Sequence, residues 1–224
     1  NGVVIGANAR ISTGGLLVTT AAVDRATDSS PGGFLDDTAT SFGFTGAASG
    51  TGITVQNGAQ ITSHGGAIAL VAPVITTEAG SSISAQDGGN VLYGAAAKYQ
   101  ISFRQTGADD LDLLSFTGDA NALKLGGATS GNRVFAALVS KTGVMSSLLL
   151  TGNLTATTAA LDETGAIVLT TGHNIVNGAA DAAAVAGNGG ADIASGNFMD
   201  FTAPAISMLS SGSITVGTNM NAAG

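Results

Sequence analysis

The chain has 224 residues, among them 34 Gly, no Cys and no Trp, and only 10% of its residues are charged. A formal net charge of −8 with seven Lys and Arg excludes a basic footprint for nucleic-acid phosphates or anionic lipid, and the lack of Cys excludes disulfides and thiolate metal sites. At 44% hydrophobic the chain is too apolar to stay disordered, yet no apolar run approaches the ~20 residues that span a bilayer.

The opening stretch, NGVVIGANARISTGGLLVTT (1–20), reads as a turn followed by short apolar strands. Residues 21–50 hold Asp24, Asp28, Pro31, Asp36 and Asp37 and break that pattern. They predict an excursion, with a short hairpin around Phe34 and Phe42-Gly43-Phe44. Ile53-Thr54-Val55 then alternates apolar with small polar residues, as a strand with one face in and one face out requires.

Next comes a repeated phrase. NGAQITSHGGAIAL (57–70) and AGSSISAQDGGNVLY (79–93) match at Ile61 with Ile83, Gly65-Gly66 with Gly88-Gly89, and Ile68 with Val91, at offsets of 22 and then 23 residues. The opening stretch carries the same phrase at Ile11, Gly14-Gly15 and Leu16. Residues 103–135, with Asp109, Asp110, Asp112 and Asp119, break the repeat again. They predict either a protruding hairpin or a short helix over 132–140. The strand–turn–strand grammar returns in 151–178 and in 203–217, which ends on Ile214-Thr215-Val216. The low-complexity stretch 177–196 predicts a loose loop.

Together these elements predict an all-β chain: a right-handed parallel β-helix, a solenoid of about 20–23 residues per coil with extruded loops and hairpins. No coil buries its inner face alone; stacking on a neighbour closes the core. Gly pairs suit the tight corners, and the Gly density with β-branched alternation argues against helix. Roughly ten coils at ~4.8 Å would make a rod on the order of 50 Å long.

These residues resemble the secretion domain of two-partner-secreted exoproteins, the filamentous-haemagglutinin-like adhesins. Asn1-Gly2 stands where that family's Asn-Pro-Asn-Gly turn ends, and Gly14-Gly15-Leu16 matches its Gly-Gly-Leu element. Phe34-Leu35 and Phe42-Gly43-Phe44-Thr45-Gly46 follow in the family's order. The long stretch GGAIALVAPVITTEAGSSISAQDGGNVLYGAAAKYQISF (65–103) matches next. The turn's Pro, the family's cap and its earlier Asn-Pro-Asn-Leu element would precede Asn1, and the abrupt opening is expected of a stretch of a longer secreted rod. The resemblance covers 1–103, with 104–224 a continuing β-helix passenger in one solenoid. It implies a secreted or cell-surface protein of a Gram-negative bacterium, carried out by an outer-membrane β-barrel transporter with POTRA domains. It also makes Asn1, Gly2, Gly14 and Gly15 residues of the secretion motif.

Sites with chemistry are few. Asp109, Asp110 and Asp112 suit either a solvated loop, a Ca²⁺ site or acid/base work on a glycan, with Arg104 near in sequence. His64 and His173 have no second His at ligand spacing and are expected to be exposed turn residues. GNGGADIA (187–194) has the outline of a Ca²⁺-binding nonapeptide with Asp192 as ligand, but Asn188 and Ala194 depart from it and there is one copy. The Gly-rich 118–131 lacks the Gly-Lys-Ser/Thr of a phosphate loop, no Ser sits in a Gly-x-Ser-x-Gly elbow, and Asn153-Leu154-Thr155 is a sequon expected to arise by chance. The expectation is therefore a structural, adhesive rod without catalytic residues or cofactor. Its expected partners are a host receptor or glycan and further copies of itself at open coil ends. The alternatives are a β-helical polysaccharide lyase or hydrolase, and the stalk of a secreted cytolysin.

Overall fold

The structure is a computed structural model and describes residues 2–23, 41–45, 51–96, 98–103, 111–117, 122–139, 146–157, 165–185, 190–197, 199–217 and 219–222. Among them all regular structure is strand, with no helix. The chain passes repeatedly through the same three sheets. A first circuit runs β1 (Val3–Ile5), β2 (Arg10–Thr13) and β3 (Leu16–Thr19), and then leaves through β4 (Ala22–Val23) and β5 (Ser41–Thr45). A second runs β6 (Gly52–Val55), β7 (Gln60–His64) and β8 (Ile68–Val71). A third runs β9 (Val74–Thr77), β10 (Ser82–Gln86) and β11 (Val91–Ala95), and leaves through β12 (Lys98–Phe103) and β13 (Leu111–Thr117).

The fourth circuit is β14 (Ala122–Leu125), β15 (Ala128–Gly131) and β16 (Arg133–Leu138). The fifth is β17 (Ser146–Leu150), β18 (Leu154–Ala156) and β19 (Ala166–Thr171), followed by the excursion β20 (His173–Val176) and β21 (Ala179–Ala184). The sixth is β22 (Ala191–Ser195), β23 (Asp200–Ala203) and β24 (Ala205–Ser210), and β25 (Ile214–Thr215) with β26 (Asn219–Ala222) begins a seventh. The first strands of the circuits form a seven-stranded sheet, the second strands another, and the third strands a six-stranded sheet. Every pairing within these three sheets is parallel. The excursion strands form a fourth, antiparallel sheet in the order β21-β20-β13-β12-β5-β4.

The register follows the repeated phrase. Ile11 pairs with Ile61 and Ile61 with Ile83, while Leu16 pairs with Ile68 and Ile68 with Val91. Period-two alternation sends every second side chain inward. In β6 Ile53 and Val55 are buried and Thr54 is half-buried. Aliphatic residues stack like on like: Ile53, Ile75, Leu123, Leu148 and Ile193 occupy successive strands of the first sheet. One interior cluster gathers such residues from Ile5 to Ala203.

Uninterrupted circuits step by 19 to 25 residues, as from Phe201 to Met220, from Ile53 to Ile75 and from Leu123 to Leu148. The excursions lengthen the others, as from Val3 to Ile53. They consume chain that would otherwise form coils, so among the described residues the stack is seven strands deep, against the ten expected. At ~4.8 Å per strand this is about 30 Å.

Three local expectations are corrected. The stretch 132–140 is not a helix: Arg133–Leu138 is a strand held by parallel partners on both sides, β11 and β19. Its apolar run VFAAL is continuous because both of its faces are covered, a pattern that periodicity alone does not separate from helix. Within 103–135 the strands from Ala122 onward therefore continue the repeat, and among the described residues the antiparallel pair β12–β13 leaves it, starting at Lys98. Within 177–196, Ala179–Ala184 and Ala191–Ser195 are strands and not loose loop, while 186–189 lie outside the described residues. In the first excursion Phe42, Gly43 and Phe44 pair with Ile101, Gln100 and Tyr99, while Phe34 lies outside the described residues. At the last circuit Ile214 stacks on Ile193 but is 45% exposed, because no further described strand covers it.

Glycines close one corner between the second and third sheets. A Cβ on Gly66 would overlap the Gly14 carbonyl oxygen, and one on Gly89 would reach the Gly66 carbonyl at 2.5 Å. Gly66→Ala is therefore expected to destabilise by about 2 kcal/mol, the range for forcing a methyl group against packed backbone. Gly14→Ala, whose Cβ would meet nothing within 4 Å, is expected to be nearly silent. Urea unfolding of the two variants measures the difference.

Candidate functional site

The outward faces of the sheets have three different characters. That of the third sheet is apolar. Ala69, Leu92, Phe135 and Val168 occupy its successive strands in register, and the antiparallel sheet covers them with Phe44, Tyr99, Ile101 and Ile175. The inner strands of the third sheet, β8, β11, β16 and β19, are thus buried on both faces, which explains their near-continuous apolar runs. The Phe44 and Tyr99 rings stack across β5 and β12 with centroids 5.0 Å apart. The Tyr99 hydroxyl hydrogen-bonds Thr19 Oγ1, tying the covering sheet to the end of β3. In the interior Tyr93 Oη and Thr129 Oγ1 lie 2.7 Å apart and fully buried. Burial pushes both phenols above their ordinary pKa, and the single hydrogen bond to each works against that rise.

The second sheet instead presents a polar face. Ser12, Thr62, Ser84, Ser130, Thr155, Thr202 and Asn221 stand on its successive strands in one row. Ser130 Oγ donates to Ser84 Oγ at 3.0 Å, and the Arg10 guanidinium donates to the Gln60 side chain at the row's edge. The first sheet's outer face is mixed, from Val4, 64% exposed, through Thr54 and Thr76 to Lys124.

The residues singled out from the sequence fall in different places. Asp109, Asp110, Asp119, Arg104, Asn188 and Asn1 lie outside the described residues. Asp112 is in β13, where its backbone pairs antiparallel with Ser102. Asp192 is exposed on β22, and its carboxylate accepts the Ser213 N–H at 2.7 Å. Among the described residues no three His, Cys, Asp or Glu come together in a group able to hold a metal ion. Gly2 packs on Gly52, where a Cβ would overlap the Gly52 carbonyl oxygen, while Gly15 lies beside Ala67 with room for one at 3.5 Å. Asn153 accepts the Asp200 N–H through its side-chain oxygen at 3.1 Å, a corner contact between strands.

The two histidines differ. His173 is not an exposed turn residue: it is only 7% exposed, in β20, with Nδ1 3.0 Å from the Asp181 carbonyl oxygen across the hairpin. His64, at the end of β7, is half exposed and has polar neighbours from both adjacent circuits. Neither partner of His64 was singled out by spacing, because Ser12 and Asp87 are distant in sequence. The Gly-Gly phrase carries the signal, since aligning 11–16, 61–68 and 83–91 brings the three residues to one corner. The β20–β21 hairpin also had a signal, the Asn177-Gly178 pair with φ of 53° and 69°, the left-handed two-residue turn that Asn-Gly favours.

Among the described residues no helix is long and apolar enough to cross a membrane. No protein family, no curated protein and no solved structure matches the chain.

Proposed function

We infer that the chain is a stretch of right-handed parallel β-helix serving as a secreted, surface-exposed structural and adhesive rod. The reading carries the resemblance of residues 1–103 to filamentous-haemagglutinin-like exoproteins to its functional consequence. One observation supports it above the rest: the chain returns to the same three parallel sheets in the same order, with the repeated phrase stacked in register. Such a stack is stiff because each strand's hydrogen bonds and inner side chains hold both neighbours. Its long polar face and its side excursions offer surface for a receptor or glycan, and exposed strand edges at an open end would accept another copy. A POTRA-bearing outer-membrane transporter is the secretion partner in this reading.

The test uses Gram-negative cells expressing the full reading frame that encodes the chain, with and without the POTRA-bearing transporter. With the transporter, the chain is expected on the cell surface, cut by added protease, and the cells are expected to bind glycan-coated or host-cell surfaces. Without it, the chain stays in the periplasm and adherence drops. A chain that stays in the cytoplasm, or adherence unaffected by its removal, overturns the reading.

A further inference from the structure

At one corner of the polar sheet three side chains from three successive circuits form a line. Ser12 Oγ lies 3.2 Å from His64 Nε2. On the other side of the ring, His64 Nδ1 lies 3.8 Å from Asp87 Oδ2. The parallel register produces this line. Ser12 pairs with Thr62, two residues before His64 on β7, and His64 pairs with Gln86, the residue before Asp87. The functional group thus moves two positions along the sheet at the first step and one at the second. Asp87 leaves the strand at φ 53°, followed by Gly88 at 89°, and this left-handed turn sets its carboxylate beside the ring.

The order of atoms matters. With the carboxylate facing Nδ1, the proton of the neutral ring is favoured there, which leaves Nε2 as an acceptor aimed at the serine hydroxyl. A hydroxyl, an imidazole base and an orienting carboxylate in this sequence are the parts of an activated nucleophile, recognised by geometry and roles instead of by sequence position. Separations somewhat longer than in a reacting complex are ordinary in an unliganded site. Other serine and histidine residues make the contrast. Ser84, in the same row as Ser12, is hydrogen-bonded by Ser130, another hydroxyl. His173 is buried against a backbone carbonyl.

We propose that Ser12, with His64 as its base and Asp87 as the residue that positions His64, is a nucleophilic site that takes acyl groups from small aryl esters. This activity goes beyond the structural role inferred above and does not depend on it. The openness of the site selects the substrate class. The side chains of His64 and Asp87 are 52% and 73% exposed. An open site offers little grip on a bulky acyl chain and favours a small ester whose leaving group departs readily. In the first step Nε2 takes the Oγ proton as Oγ bonds to the ester carbonyl carbon. The tetrahedral adduct collapses with loss of the aryl-oxide, which receives the proton from the imidazolium, leaving acyl-Ser12 and a phenol. Water then repeats the sequence: Nε2 takes its proton, the new C–O bond forms, the bond to Oγ breaks and Oγ regains a proton, releasing a carboxylic acid.

The test is hydrolysis of 4-nitrophenyl acetate by the purified chain, with peptide mass mapping of the acetyl adduct. The adduct is expected on Ser12, and Ser12→Ala and His64→Ala are each expected to lower the rate by about 100-fold, the low end for positioned general-base catalysis. Asp87→Asn keeps a residue that tolerates the left-handed turn. It is expected to lower the rate by about tenfold with the unfolding temperature unchanged, and to have no further effect when His64 is already Ala. Ser84→Ala is expected to react as the parent does. Full activity in Ser12→Ala, an adduct that maps to another residue, or an Asp87→Asn effect that persists without His64 overturns the proposal.

Discussion

Phe135→Ala is expected to lower stability by about 4 kcal/mol, within the range for emptying a buried aromatic site. Phe135 is fully buried in β16, flanked in register by Leu92 and Val168, and belongs to the apolar layer between the third parallel sheet and the antiparallel sheet. The covering sheet is assembled from excursions of three circuits, so it depends on this layer more than on continuous chain. The loss should therefore be uneven. Hydrogen exchange is expected to accelerate first in residues 98–103 and 173–176, and later in the parallel strands. Ser130→Ala, on the polar face, is the control, with an expected change within about 0.5 kcal/mol. Uniform acceleration across all sheets in Phe135→Ala would mean that the antiparallel sheet is not a separable layer.

The second large effect is alkaline unfolding. The chain has two tyrosines, Tyr93 and Tyr99, and both phenols are held above their ordinary value of 10.0 by burial. The unfolded chain gives up phenol protons first as the pH climbs past 10.0. It then binds fewer protons than the folded chain, so stability falls as pH rises, by about 1.4 kcal/mol per pH unit for each tyrosine. Below that window both states keep these protons, and the tyrosines add no pH dependence. Tyrosinate absorbance is expected to appear together with loss of the β-sheet circular dichroism. The double variant Tyr93→Phe with Tyr99→Phe removes this alkaline dependence, at the expense of the Thr129 and Thr19 hydrogen bonds, about 1 kcal/mol each. Tyrosinate that forms near the ordinary value in a chain still folded would refute the burial of both rings.

The parallel stack was legible because its signal is local and repeated. Ile11, Ile61 and Ile83 recur with their Gly pairs, and the same three positions stack in register. Where the phrase blurs, the reading fails for a definite reason. Arg133–Leu138 has no alternation because two layers cover it, so neither face needs polar residues. Ala179–Ala184 has no large side chains and is a strand because β20 supplies its hydrogen-bond partners across the Asn177-Gly178 turn. His173 shows the same limit. Its burial comes from its place in that hairpin, and nothing adjacent in sequence announces it.

The candidate site divides in the same way. Composition and charge alone excluded phosphate-binding and thiolate chemistry, because those need residue types the chain lacks or scatters. The approach of Ser12, His64 and Asp87 was decided only by the fold. Residues 52 and 23 positions apart in the chain become neighbours when circuits stack at strand spacing, and the offsets of two positions and then one depend on corner geometry. The sequence by itself determined which segments alternate and repeat, since period-two burial and glycine corners are properties of a few adjacent residues. Tertiary structure decided how far each excursion displaces the next circuit, which face of the stack the excursions cover, and which polar side chains meet, since these depend on pairings between residues far apart in the chain.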